Sequence, residues 1–195
     1  MVYKPTAGER PLFDFPDRTL ARREVAAFLV SEATGLGVVP ATAYRDGPFG
    51  EGMVQLWIDA DPSVDVVELI RLADPRLRPI ALFDAIVNNT DRKGGHLLPH
   101  ADGHVFGVDH GVTFSSEPKL RTVLWTWRGR RFSVAERRVL LVLRDALGGE
   151  LGVGLRDLID AEEVAATVDR VEGLLDAGVF PSPGDEWPAV PWPPF

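Results

Sequence analysis

The amino-acid sequence predicts an α+β fold, and two observations support this prediction. Strand-like runs are concentrated in the first third of the chain, whereas runs with helical spacing of apolar residues dominate the remainder. The 195-residue chain is also 45% hydrophobic and 26% charged, which is the ordinary range for globular proteins. A chain of this length forms one sizeable domain or two small lobes that share a cleft.

The N-terminal part of the chain is predicted to form a strand and then a helix. Val2–Pro5 reads as the end of a strand, because its closing proline cannot continue a hydrogen-bonded ladder. Residues 6–18 are rich in glycine, proline and charge, and are predicted to form a loop. A helix is expected over about residues 20–34, with Thr19 as its N-cap and Gly35 as its stop.

Two further strands are expected over residues 38–44 and 53–58. The linker between them, residues 45–52, contains aspartate, proline and glycine, which are the residue types that favour turns. We therefore expect a small antiparallel unit at the start of the chain, followed by a change in character near Trp57–Asp61.

The rest of the chain is predicted to be mainly helical, with one hairpin inserted. The predicted helices cover about residues 64–72, 76–88, 133–148 and 160–177, and the hairpin joins residues 97–98 to 105–108 around a turn at 100–103. Ser133 is a favourable N-cap, and Gly148 and Gly178 are expected to end the last two helices. The proline-rich segment Pro181–Phe195 is predicted to be an extended tail that packs its tryptophans onto the domain.

Charge and composition exclude several classes of protein. The net charge of −8 and the pI near 5.0 argue against a nucleic-acid binder, which needs a basic face. The chain has no cysteine, so disulfides and thiolate sites are excluded. No apolar run is long enough to span a bilayer and no signal peptide is evident, so we expect a cytoplasmic protein without integral membrane association. Arginines between residues 121 and 138 form either an anion-recognition patch or a charged helix face.

The most informative feature of the sequence is a pair of acidic loops. Asp91 lies in the polar run Asn88–His96, and Asp109 lies in the short string Gly107–Gly111. Each aspartate follows an apolar run, and the predicted hairpin between the loops allows them to converge. Phosphoryl transfer requires one carboxylate that orients the attacking hydroxyl and another that holds magnesium on the nucleotide phosphates. The alternative for each aspartate is an ordinary turn or cap residue.

Five short strings resemble a bacterial family of short phosphatidylinositol 3/4-kinase-like proteins, which belongs to the protein kinase superfold. They are Tyr-Lys-Pro, Gly-Glu-Arg-Pro-Leu, Arg-Glu-Val-Ala-Ala, Asn-Thr-Asp-Arg-Lys-Gly-Gly-His and Val-Asp-His-Gly-Val. This resemblance implies a kinase-like two-lobed fold, with a truncated small lobe over residues 1–58. It also implies a mainly helical large lobe over residues 59–195, which carries the catalytic hairpin and the tail rich in proline and tryptophan.

The resemblance also implies roles for residues in the two acidic loops. Asp91 and Arg92 match the catalytic loop, and Asp109 matches the magnesium-binding loop. Where the family has a metal-binding asparagine, this chain has His96, which is a poorer magnesium ligand. His96 is therefore expected to favour manganese or contact phosphate, or else to be an ordinary hydrogen-bonded loop histidine.

The nucleotide site is expected to involve the small lobe. By the resemblance, Lys4 is the lysine that contacts the nucleotide, and Glu24 is the glutamate that pairs with it. Gln55, Leu56 and Trp57 fall where the linker between lobes presents backbone groups and an apolar wall to adenine. The alternatives are a solvated Lys4, a Glu24 paired with neighbouring arginines, and a Trp57 that belongs to the core.

One departure from the family concerns the start of the chain. A kinase has strands and a glycine-rich loop before the lysine strand, and this sequence begins at the lysine strand. We expect either that a preceding segment is missing or that phosphates are held loosely and transfer is reduced.

Three functions remain open from the sequence. The first is an ATP- and magnesium-dependent phosphotransferase that acts on an unidentified small-molecule or protein acceptor. The second is a catalytically degenerate kinase fold that binds nucleotide or acts as a scaffold. The third is a metal-dependent hydrolase, whose ligands would be His96, His100, His104, Asp91 and Asp109. The spacing of these histidines crosses a proline and an Asp-Gly pair, which breaks the helix that a helical zinc pair needs.

Overall fold

A computed structural model describes all 195 residues, Met1–Phe195, and it has the predicted α+β character. The N-terminal part contains a three-stranded antiparallel sheet in the order β1-β3-β2. Its strands are β1 (Val2–Pro5), β2 (Thr42–Gly47) and β3 (Gly50–Gln55). β1 is therefore a complete short strand, and its proline lies at the end of an edge strand, where no ladder bond is lost.

The β2–β3 hairpin differs from the sequence prediction. Most of the predicted linker, residues 45–52, belongs to the two strands, because Arg45 pairs with Gly52 and Gly47 pairs with Gly50. Only two residues form the turn, and Gly50 adopts a positive φ of 95° that favours glycine. The predicted linker was therefore too long, because only residues 48–49 form the turn.

The first helix, α1 (Leu20–Thr34), has the predicted bounds. Gly35 ends it in the left-handed conformation, as expected. Thr19 occupies the N-cap position, but its side chain caps no helical amide. Glu9 supplies that cap from the preceding loop, because its carboxylate accepts hydrogen bonds from Leu20 N (3.1 Å) and Ala21 N (2.8 Å).

Five further helices and a second hairpin make up the rest of the chain. They are α2 (Val66–Arg71), α3 (Arg78–Val87), the hairpin strands β4 (Leu97–Pro99) and β5 (Val105–Gly107), α4 (Val134–Leu147), α5 (Glu150–Leu155) and α6 (Ala161–Ala177). Ser133 forms a capping box with Glu136, and Gly178 ends α6 in the left-handed conformation. α5 was not predicted from the sequence, because it is short and contains two glycines.

A continuous hydrophobic core joins α1 to the helical part of the molecule. Ala26, Ala27 and Val30 of α1 belong to the same buried cluster as α3, α4 and α6. The opposite side of α1 packs on the sheet through a small cluster of Ala21, Val25 and Met53. α1 therefore lies between the sheet and the helices and holds both in a fixed relation.

The C-terminal segment after α6 is extended, as predicted, but only one of its tryptophans packs onto the domain. Trp187 lies against the ammonium group of Lys119, with 4.9 Å between Nζ and the ring centroid. Trp192 is 86% exposed, so the prediction was wrong for this residue. None of the six helices has the length and apolar composition required to cross a bilayer.

Candidate active site

Three residues from distant parts of the chain meet at the edge of the sheet. Lys4 Nζ on β1 lies 2.7 Å from Glu24 Oε1 on α1 and 2.8 Å from Asp109 Oδ1 in the loop after β5. Glu24 is buried, whereas the side chains of Lys4 and Asp109 are 44% and 50% exposed. We call these three residues the Lys4 cluster. It has one buried member and two members that remain accessible to a ligand.

Lys4 and Asp109 stabilise each other's charged forms. Burial lowers the pKa of Lys4, but the charges of Glu24 and Asp109 outweigh it and leave the pKa above its ordinary value. Burial also raises the pKa of Asp109, but Lys4, together with the charges of His96 and Arg92, more than reverses that effect. Glu24 keeps a raised pKa because its burial outweighs the contact with Lys4. Near neutral pH the accessible pair is therefore a cation beside a carboxylate anion.

The backbone at Asp109 is in an unusual conformation. Its φ of 61° lies in the left-handed region, which non-glycine residues seldom adopt. Gly111, two residues later, has no positive φ. The sharp reversal therefore occurs at Asp109 itself, one residue after Val108. Residues held in such conformations are concentrated at functional sites.

His96 ends the first acidic loop and contacts Asp109 in the second. Its Nε2 atom is 3.4 Å from Asp109 Oδ2. Burial lowers the pKa of His96, while the charges of Asp109 and Asp91 act in the opposite direction. The imidazole is therefore neutral near pH 7, and it is close enough to both carboxylates to feel their charge. The contact between His96 and Asp109 joins the end of the first acidic loop to the second.

Asp91 is held by its backbone and leaves its carboxylate partly accessible. Its amide donates to Asn89 Oδ1 at 3.0 Å, which fixes the turn after α3. The side chain is 32% exposed and has Lys93 Nζ at 3.2 Å as an ion-pair partner. The carboxylate of Asp91 is therefore partly accessible and lies on a fixed turn.

Arg92, which was predicted to be a catalytic residue, lies inside the protein next to Asp84. Its side chain is fully buried, and its guanidinium forms hydrogen bonds of 2.9–3.1 Å with both carboxylate oxygens of Asp84. Asn89 Nδ2 donates to the same carboxylate at 2.9 Å. We call Asp84, Asn89 and Arg92 the Asp84 cluster. Its members hold the Asp91 loop in place, and none of them reaches solvent.

Asp84 was missed by the sequence analysis. It lies on α3 among Leu82, Phe83 and Ile86, all of which are fully buried. A carboxylate inside so apolar a helix is costly without a partner, which is a sequence signal that could have identified it.

His110 connects the Lys4 cluster with the Asp84 cluster. Its amide donates to Glu24 Oε2 at 2.9 Å, and its Nε2 lies 2.6 Å from Arg92 Nη2. Because arginine only donates, Nε2 must be the accepting nitrogen of a neutral ring. Burial, together with the charge of Arg92, keeps the pKa of His110 well below its ordinary value. The same residue therefore fixes the position of Glu24 and of Arg92.

The predicted adenine-binding segment lies where β3 ends. Gln55 is buried and donates to Thr42 Oγ1 at 2.9 Å, so its side chain is occupied within the sheet. Leu56 and Trp57 are 52% and 61% exposed, and Trp57 Nε1 donates to Asp59 Oδ1 at 2.8 Å. Trp57 is therefore not a core residue, and residues 56–58 are not part of a strand. Large exposed apolar side chains at this position remain available to a flat ligand.

The ligand set of the hydrolase hypothesis is not assembled. His100 Nδ1 pairs with Asp102 Oδ1 at 2.9 Å, and His104 Nε2 contacts Gly37 O at 3.0 Å, both at the far end of the hairpin from His96. No group of three or more His, Asp or Glu side chains is arranged to hold a metal ion. A zinc enzyme normally needs three such protein ligands.

A nucleotide-borne magnesium ion has different requirements. Magnesium is commonly bound by one or two carboxylates, with phosphates and water completing its shell. Asp109 is half exposed and ionised, so the residues present fit this mode of binding. His96 Nε2 lies 3.4 Å from Oδ2 of the same carboxylate, whereas its Nδ1 atom is buried and has no hydrogen-bond partner. The site therefore offers one accessible carboxylate ligand.

The chain is similar to Protein Rv2133c of Mycobacterium tuberculosis, with 44% identity over 229 residues. The alignment covers 100% of this chain and 82% of the mycobacterial protein. No protein-family model matches the chain. Identity at this level over the whole chain shows that the two proteins belong to one family.

Proposed function

We propose that this chain, which belongs to the family of Protein Rv2133c, is a kinase-like phosphotransferase that uses ATP and magnesium. The observation that carries the proposal is the contact of Lys4 with both Glu24 and Asp109. A lysine on a strand, a glutamate on the following helix and an aspartate after a later hairpin are the parts that protein kinases use to bind the nucleotide phosphates.

Each accessible residue of the site has a role in this proposal. Lys4 binds nucleotide phosphate oxygens, and the buried Glu24 keeps its ammonium group in position. Asp109 and His96 would hold the magnesium ion, which neutralises charge on the phosphates. Asp91 accepts the proton of the acceptor hydroxyl, and the exposed Trp57 packs against the adenine ring. The Asp84 cluster keeps the Asp91 loop rigid and touches no ligand.

The two-lobed arrangement belongs to the same proposal. In it, the three-stranded sheet is the small lobe and the helical part is the large lobe. The Lys4 cluster draws its members from both parts, since Lys4 is on β1 and Asp109 follows β5. The acceptor is a small molecule or a protein that carries a hydroxyl group.

The test measures nucleotide binding and turnover separately. Binding of ATP is measured by calorimetry with and without magnesium, and turnover is measured by mass spectrometry of ADP and of phosphorylated protein. The variants are Asp91→Asn and Asp109→Asn, and the matched control is Asp102→Asn at the exposed tip of the hairpin.

The wild-type protein is expected to bind ATP in a magnesium-dependent manner. Asp109→Asn should weaken that binding, while Asp91→Asn should keep it and lower turnover by about 100-fold or more. Absence of ATP binding in the wild-type protein would contradict the proposal. Binding without turnover, unchanged by Asp91→Asn, would favour a degenerate nucleotide-binding protein.

A further inference from the structure

The last eight residues of the chain lie across the loop that carries Asp91. We call the segment Pro188–Phe195 the C-terminal strap. Pro194 O accepts a hydrogen bond of 2.8 Å from Gly94 N, and the ring of Phe195 lies against the same glycine. Gly94 is buried although it lies in a polar loop, because the strap covers it.

The strap is fixed to the domain by a second set of contacts. Ala189 O accepts hydrogen bonds from Thr122 N at 3.1 Å and from Trp125 Nε1 at 2.7 Å. Arg121 Nε donates to Pro188 O at 3.2 Å. The start of the strap is thus anchored independently of its contact with Gly94.

Residues 121–123, which include two of the residues that bind the strap, also contact the Asp91 loop directly. Arg92 N donates to Arg121 O at 3.0 Å, and Val123 N donates to Arg92 O at 3.1 Å. Three separate sets of contacts therefore hold the Asp91 loop. The buried Asp84 fixes the Arg92 side chain, residues 121–123 fix the Arg92 backbone, and the strap fixes Gly94.

We propose that the C-terminal strap is a positioning element of the active site, in which Pro194 and Phe195 fix the turn at Gly94 and thereby the carboxylate of Asp91. The catalytic part of this inference rests on the proposed phosphotransferase function. Its structural part concerns the order of the loop and stands by itself.

The contact at Gly94 depends on the absence of a side chain. A Cβ atom at this position would overlap the Phe195 ring, so any other residue displaces that ring. Phe195 is 54% exposed, and its displacement removes little buried apolar area from the core. Glycine at position 94 therefore allows the strap to approach the loop closely.

The experiment uses the full chain and two changes that release the strap in different ways. Phe195→Ala removes the ring, and Gly94→Ala pushes the ring away while leaving the strap intact. Phe195→Leu keeps an apolar side chain and tests for rescue. Trp192→Ala is the matched control, because Trp192 lies in the same strap and is exposed.

Hydrogen exchange reads the order of the loop without any need for activity. In Phe195→Ala and Gly94→Ala, exchange over residues 91–96 should be faster by on the order of 10-fold, while Thr122 N stays protected. Trp192→Ala should match the wild type, and Phe195→Leu should recover much of the protection. Unchanged exchange over residues 91–96 in both releasing variants would overturn the inference.

Kinetics then distinguish positioning from simple loss of structure. Release of the strap is expected to lower kcat by about 10- to 100-fold with a KM for ATP within about 2-fold, because only the base is misplaced. A kcat in Phe195→Ala equal to that of the wild type would overturn the catalytic part. If the wild-type protein transfers no phosphate, the proposed function fails, and the exchange data alone decide whether the strap orders the loop.

Discussion

The Lys4 cluster and the Asp84 cluster are both built from oppositely charged residues, but they differ in exposure. Lys4 and Asp109 are about half exposed, whereas Asp84 and Arg92 have no exposed side-chain surface. A buried ion pair is satisfied within the protein and cannot exchange partners with a ligand. The exposed pair of Lys4 and Asp109 can exchange partners with a ligand, because water and a ligand can both reach its charged atoms. The difference in exposure therefore distinguishes residues that a ligand can reach from residues that hold them in place.

The largest expected effect of a mutation is on the buried cluster. Asp84→Ala leaves the guanidinium of Arg92 buried without its counter-charge, so it should lower the free energy of unfolding by about 3–5 kcal/mol. Urea denaturation measures this value. Glu68→Ala, which removes the exposed pair with Arg71, is the matched control and should cost less than about 1 kcal/mol. Equal effects of the two variants would contradict the distinction between buried and exposed pairs.

Removal of Lys4 should affect stability in a pH-dependent way. Lys4→Met leaves the buried carboxylate of Glu24 without its cation and should cost about 2–3 kcal/mol at pH 8. The pKa of Glu24 is already raised by burial and should rise further, so the folded protein takes up a proton more readily than the unfolded chain. The destabilisation of the variant relative to the wild type should therefore become smaller as pH falls towards the ordinary pKa of glutamate.

Urea denaturation of Lys4→Met and of the wild type at pH 8 and pH 5 tests this sign. Adding Glu24→Gln to Lys4→Met should remove most of the pH dependence of the difference from the wild type, because the amide has no charge to bury. A variant that is equally destabilised at both pH values would indicate that Glu24 is solvated in the absence of Lys4.

Because His110 connects the two clusters, we expect the stability of the fold to decrease in acid. Below about pH 6.5 the unfolded imidazole binds a proton, whereas His110 in the folded protein stays neutral because it is buried and faces Arg92. Its contribution to stability is therefore full above this pH and is lost progressively as pH falls below it. His110→Asn should reduce this slope in urea denaturation at a series of pH values. An unchanged slope would show that other groups cause it.

The smallest expected effect on stability is at the exposed end of β3. Trp57→Ala should change the free energy of unfolding by no more than about 0.5 kcal/mol, because most of the ring is in solvent. If Trp57 packs against adenine, the same variant should weaken ATP binding several-fold in calorimetry. Trp192→Ala removes an equally exposed ring and should leave ATP binding unchanged. Equal binding by both variants would remove Trp57 from the proposed nucleotide site.

Individual residues show which parts of the candidate site could be predicted from the sequence. Lys4, Glu24 and Asp109 were identified by their order in family-like strings, and the structure brings them within hydrogen-bond distance. Arg92 was assigned a catalytic role for the same reason, but sequence order carries no information on burial. Asp84 was missed although a carboxylate within an apolar helix is a signal in the sequence. His110 was missed because its importance depends on a contact with Arg92 that forms only in the folded chain.

By itself, the sequence determined the local elements and the candidate chemistry. Helical periodicity, glycine stops and turn residues act within a few positions along the chain, so the bounds of α1 and the capping of α4 could be predicted. Only the tertiary structure decided which charges are buried, that Glu9 caps α1, and that Phe195 covers Gly94. These features join residues far apart in the chain, and their pairing depends on how the whole core packs.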